Sequence, residues 1–204
     1  MLRAFLRGAL ALVALLLPIG SRGESSAGPA APFAYGASQV ALLLGGGFGL
    51  PMFANHDPTD DQPRIFGVFG RWGIGLSDPI AGGTFYTGNV ELDVEPMALW
   101  NYQPRSGWAA GGSLLLHYNF RDEGAIVPFI EGGAGVSHLD FDLDSQSDGF
   151  TFPLQASLGF HAFASPRAAV TASVGYYHLS NARLRYPNAG INALMVRIGA
   201  TFFQ

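Results

Sequence analysis

The chain contains no cysteine and no lysine, and charged residues fill only 13% of its 204 positions. Without cysteine there is no disulfide framework, no thiolate zinc site and no thiol nucleophile. All eleven basic residues are arginine. A soluble domain usually carries roughly a quarter charged residues, so about half of the charge that dresses a water-facing surface is missing. What is present is apolar: 49% hydrophobic residues, with 28 glycines among the remainder. Disordered chains show the opposite balance, rich in charge and poor in apolar side chains, so disorder is excluded. The length suits one sizeable domain or two small ones.

Residues 1–23 concentrate part of the apolar excess. Arg3 and Arg7 precede an apolar stretch from Ala9 to Leu17, and Pro18 and Gly20 break it. A run this short falls well below the roughly 20 residues of a membrane-spanning helix. It predicts a secretory signal peptide over 1–23, with Ser21-x-Gly23 or, as late as 27, Ser25-x-Ala27 at the cleavage site. Its removal takes Arg3, Arg7 and Arg22, leaving eight arginines against fifteen acidic residues, a formal −7. That sign excludes a nucleic-acid partner. Residues 24–34 read as a flexible leader, and 35–204 as a single domain. Beyond residue 23 no apolar run is long enough for a membrane helix.

The period that remains is two. Residues 168–180 place Ala168, Val170, Ala172, Val174 and Tyr176 on one face and Ala169, Thr171, Ser173 and Gly175 on the other. Segments 64–76, 90–100, 150–162 and 191–203 alternate in the same way, and 36–49, 107–119 and 125–137 bring the count to eight. Successive strand side chains point to opposite faces, so each segment reads as a half-apolar β-strand. The connections 120–124 and 164–167 are short, and 138–149 and 181–190 are long. Even strand number, strands of about ten residues or more and short turns on one side predict an all-β fold: an eight-stranded antiparallel transmembrane β-barrel of the outer membrane.

The polar faces of these strands carry Arg71, Glu91, Asp93, Glu95, Glu131 and Arg197 beside small residues. In a barrel they line the lumen, where opposite charges must pair. Glu91 and Glu95 with Arg71 therefore read as core ion pairs. A soluble eight-strand barrel or a β-sandwich uses the same period with the charges outward. Export, the aromatic residues near strand ends (Tyr86, Trp100, Trp108, Tyr118, Tyr176, Tyr177) and the closing Val196–Phe203 segment favour the membrane version. Gln204 follows the final Phe203.

Strand 168–180 continues its lipid-facing parity through His178 and Ser180, with Leu179 pointing inward. Polar residues at i and i+2 on the bilayer side read either as interface residues or as a nucleophile with its base. Serine is weak until an adjacent base takes its proton, and this spacing permits that hydrogen bond. Other motifs carry less. Asp140, Asp142, Asp144 and Asp148 match an EF-hand in part, but Ser145 replaces its glycine and Thr151 its final glutamate, which leaves a solvated acidic loop. GGGFG at 45–49 lacks the Gly-Lys-Ser/Thr of a phosphate loop. His56, His117, His138 and His161 show no metal-ligand spacing, and no metal or organic cofactor is expected.

The stretch HLSNARLRYPNAG at 178–190 resembles the lipid A 3-O-deacylase (PagL-type) family, whose hallmark is H-x-S-N-A followed by a P-N-x-G turn. PFIEGG at 128–133 and FPLQASLGF at 152–160 resemble it more loosely, so the likeness covers about the last 80 residues. The resemblance implies an eight-stranded outer-membrane barrel that hydrolyses the ester-linked acyl chain at position 3 of lipid A, with lipopolysaccharide and outer-membrane lipid as its partners. A homodimer stays open. By the same resemblance Ser180 is the nucleophile and His178 the general base. Asn188 and Asn181 match the motif asparagines, with Asn188 at the oxyanion position, and Asn192 aligns with the family's acidic residue. Arg183 stands where members commonly carry a glycine whose N–H meets the oxyanion. Arg183 and Arg185 are candidates for lipid A phosphates. The asparagine at 192 keeps a second reading alive: a non-catalytic small barrel, structural or adhesive, that retains the fold.

Overall fold

The computed structural model describes residues 32–51, 62–80, 86–120 and 125–204. Eight strands follow one another: β1 (Ser38–Gly49), β2 (Arg64–Gly75), β3 (Gly88–Gln103), β4 (Gly107–Phe120), β5 (Ile126–Asp140), β6 (Gly149–Ser165), β7 (Ala168–Ser180) and β8 (Ile191–Phe203). Each pairs antiparallel with the next, and β8 pairs with β1 to close an eight-stranded barrel. The predicted signal peptide, most of the leader and His56 lie outside the described residues. The leader's end lies inside them. Phe33 there is not loose but buried, packed against Val127, Phe163, Ala169 and Phe203 at the end of the barrel that holds the C-terminus.

One parity rules all eight strands: odd-numbered side chains turn into the lumen and even-numbered ones outward. The exposed large hydrophobics of the strands, such as Leu44, Phe66, Val94, Leu116, Ile130, Leu158, Val196 and Ile198, are even. This apolar band faces hydrocarbon, where charge is unnecessary. The soluble alternative fails at the same point, since Arg71, Asp93, Glu95, Glu131 and Arg197 are all buried inside.

The charges form a layer across the middle of the lumen. Arg71 bonds Glu95 through Nε at 3.1 Å and meets Glu131 Oε2 at 2.7 Å. Arg197 reaches Glu95 Oε1 at 3.1 Å and also bonds Glu131. A Cβ at Gly45 would lie 3.0 Å from both Arg197 Cγ and the Phe69 ring, so this inward glycine leaves room for the guanidinium. Glu91 does not join Arg71 as the spacing suggested. It accepts a hydrogen bond from Gln39 at 2.8 Å and lies opposite His117 on β4. Above the charged layer sits an apolar cluster including Phe69, Leu99, Phe141, Tyr177 and Leu179. Tyr177 is thus a lumen residue and not part of an aromatic girdle, because its odd position turns it inward.

Candidate active site

His178 and Ser180 end β7 on its outer side, and Asn192 enters β8 directly opposite His178. This is the barrel end remote from Phe33 and the C-terminus. His178 Nδ1 lies 2.7 Å from Asn192 Oδ1. The Tyr176 hydroxyl donates to the same oxygen. With the amide oxygen set between the two groups, His178 Nδ1 carries the proton and Nε2 is the acceptor. Ser180 is half-buried beyond them and has no hydrogen bond to His178.

The turn after β7 is built around Asn181, which is buried. Its amide donates to Ser147 Oγ at 2.8 Å and to the Arg185 carbonyl at 3.0 Å. Its backbone N–H donates to Asn188 Oδ1 at 3.0 Å. A backbone N–H can only donate, so that bond fixes the Asn188 amide with its NH₂ turned away from the turn as a donor. Sequence placed both asparagines among substrate contacts. The structure separates them: Asn181 holds the turn, and Asn188 is left partly accessible.

The neighbouring loop 141–148 braces this turn. Ser147 N–H donates to the Pro187 carbonyl at 2.8 Å, and Ala189 N–H to the Ser145 carbonyl at 2.9 Å. Buried Gln146 accepts from Gly190 N–H at 3.0 Å. Gly190 has φ +77°, and a Cβ there would stand 2.7 Å from His178 Cε1. The imidazole therefore packs against a position that only glycine fits. No sequence signal pointed to Gln146 or to the Tyr176 hydroxyl, whereas Gly190 was visible as the turn glycine.

The loop carboxylates have protein partners. Asp148 caps the backbone N–H of Phe141 at 2.9 Å, and Asp144 bonds Arg105 at 2.6 Å, a contact that holds its carboxyl below the usual aspartate value. In the lumen Glu91, Asp93 and His117 have ligand-type atoms within 4.8 Å of one another. His117 is already bracketed by Asp93 and Asn119, each at 3.1 Å.

Arg183 is exposed and adopts φ +65°. The left-handed region costs a non-glycine residue roughly 1–2 kcal/mol, partly offset by the greater chain entropy that glycine loses. Arg183→Gly is expected to stabilise the barrel by about 0.5–1 kcal/mol, read as a higher melting temperature in detergent micelles. A lower one would show that the guanidinium itself supports the turn.

Residues 69–201 match the family model described as Lipid A 3-O-deacylase (PagL). No curated protein matches the chain in sequence. Among solved structures, Neisserial surface protein A is 14% identical with a TM-score of 0.58, over 82% of this chain and 98% of that one. The outer membrane enzyme PagL is 19% identical with a TM-score of 0.50, over 78% and 98%. Ail, the attachment invasion locus protein of Yersinia pestis, is 14% identical with a TM-score of 0.50, over 83% and 99%. At such identities these likenesses speak for the fold.

Proposed function

The chain belongs to the lipid A 3-O-deacylase (PagL) family, a bacterial outer-membrane β-barrel, and from that premise we propose that it hydrolyses the acyl ester at position 3 of lipid A by a serine mechanism. The observation that carries this reading is the His178–Asn192 hydrogen bond across β7 and β8, on the lipid-facing side, with Ser180 two residues from the imidazole. A structural surface has no need to orient a histidine beside a serine at the edge of hydrocarbon.

In this mechanism Ser180 Oγ attacks the ester carbonyl as its proton passes to His178 Nε2. The carbonyl oxygen becomes an oxyanion, met by the free NH₂ of Asn188 and by a backbone N–H of the turn. Collapse breaks the bond to the sugar oxygen, which leaves as a hydroxyl with the proton from His178. Water, deprotonated by the same imidazole, then cleaves the acyl-serine and restores the enzyme. Asn192 holds the ring in the tautomer this requires. Residues 1–23 act as the signal peptide for export.

Labelling with a lipophilic fluorophosphonate tests the nucleophile. One adduct is expected, on Ser180, absent in Ser180→Ala and strongly slowed in His178→Ala. A folded barrel that takes no label supports the non-catalytic reading, which the asparagine at 192 favours.

Replacing a triad aspartate by asparagine in a serine protease cost about 10⁴ in turnover, through the wrong tautomer. Here the Tyr176 hydroxyl and His178 Nδ1 meet the same Asn192 amide oxygen, so the missing element is charge alone. A hydrogen bond to a charged group is worth about 1.5–3 kcal/mol. Asn192→Asp is therefore expected to raise kcat about tenfold or more. Tyr176→Phe frees the amide to turn and should lower kcat in the parent, yet leave Asn192→Asp unaffected, since a carboxylate is the same either way round. Equal effects of Tyr176→Phe in both backgrounds would assign the hydroxyl another role.

A further inference from the structure

We infer that the outer face of β8, β1 and β2 carries a second lipid subsite, in which a groove over Gly46 takes an acyl chain and Arg64 takes a phosphate of the same lipid A molecule. This rests on the deacylase reading and extends it to how the substrate is held.

The groove measures about 550 Å³ and is lined by Gly46, Phe48, Pro63, Arg64, Tyr102 and Val196. Its floor is Gly46, the outward residue that pairs with Val196 on β8 and with Phe66 on β2. An ideal Cβ at Gly46 meets nothing within 4 Å, so the position opens directly onto the groove. Phe48 and Arg64 pair across β1 and β2 at the barrel end that carries Ser180. Arg64 is exposed and outward, with no ion pair or hydrogen bond among the described residues. Arg105, at the same end, is by contrast engaged by Asp144.

An arginine on the lipid side is costly at the bilayer midplane and nearly free at the interface. A guanidinium with no partner among the described residues, above a groove whose apolar wall is Phe48, Pro63, Tyr102 and Val196, complements an anionic headgroup with a chain beneath it. The substrate itself fits best because of where the groove lies. The row Tyr176–Leu194–Phe48–Arg64 runs across β7, β8, β1 and β2, one step from the row that holds His178 and Asn192. With strands roughly 4.8 Å apart, β1 is about 10 Å and β2, which carries Arg64, about 14 Å from the strand of Ser180. A lipid with several chains on one phosphorylated headgroup spans that distance. A single-chain ester does not.

The test compares the parent, Gly46→Leu and Arg64→Gln, purified in detergent, on three substrates: bisphosphorylated lipid A, the same lipid stripped of phosphate, and a single-chain nitrophenyl ester. Arg64→Gln should lose about tenfold in kcat/KM on lipid A, the worth of one charge-assisted contact, and Gly46→Leu should lose a similar factor by filling the groove, with no such loss on the single-chain ester. The Arg64→Gln deficit should vanish on dephosphorylated lipid A, whereas that of Gly46→Leu should persist. Parent rates on lipid A, or equal losses on all three substrates, overturn the subsite. If the parent hydrolyses none of them, the deacylase reading fails. The subsite is then judged by calorimetric binding of lipid A, which Arg64→Gln must weaken about tenfold and which equal affinity overturns.

Discussion

Ser180→Ala is expected to reduce lipid A deacylation by purified protein about 10⁴-fold or more, the largest effect of any single change. Covalent catalysis has no substitute for the attacking oxygen, and loss of a nucleophile elsewhere costs about as much as loss of the entire catalytic set. His178→Ala should cost a similar factor, and the double variant little more, since the two groups act in one step. Lipid A binding should survive both changes, because Ser180 is asked to contribute to the transition state and not to the ground state. A variant with parent kcat would remove Ser180 from the reaction. A lower affinity with unchanged kcat would make it a contact residue only.

The second large effect is on stability. Arg197 bonds Glu95 and Glu131, donates to Gln155 at 3.2 Å and Ser157 at 2.8 Å, and lies 5.4 Å from the Phe69 ring centre. Arg197→Met leaves three lumen carboxylates, Asp93, Glu95 and Glu131, around one guanidinium, Arg71, with His117 Nδ1 3.4 Å from Glu131. Breaking a buried pair from one side costs about 3–5 kcal/mol, because the remaining charge stays buried without its partner. Urea unfolding in micelles should register that loss. The exposed Arg105–Asp144 pair provides the contrast: Arg105→Ala should cost far less, since water screens it. Equal, small losses in the two variants would mean that water reaches the lumen charges.

Much of this architecture was legible because one face of every strand obeys a strict chemical choice. A lipid-facing residue must be apolar, and its neighbour must fit a narrow lumen, so alternation survives over whole strands such as Ala168–Ser180. β3 runs on to Gln103, past the expected end at Trp100, because Asn101 keeps the inward parity after the apolar signal has faded. Parity also placed His178, Ser180 and Asn192 on one face before any register was known. It could not rank the asparagines, since whether Asn181 faces substrate or supports its own turn depends on Ser147, 34 positions away on another loop. The left-handed turn at Arg183 was hidden for a different reason. A backbone held by its surroundings can tolerate arginine where local preference favours glycine. Glu91 was misassigned because shared lumen parity says nothing about height along the barrel, and Gln39 is the partner that its neighbours supply.

Mass spectrometry of lipid A from cells that export the chain tests the deacylase reading most directly. The predicted result is loss of one ester-linked hydroxyacyl chain from position 3 with the parent, and intact lipid A with Ser180→Ala. Intact lipid A with the parent barrel folded in the outer membrane would contradict it.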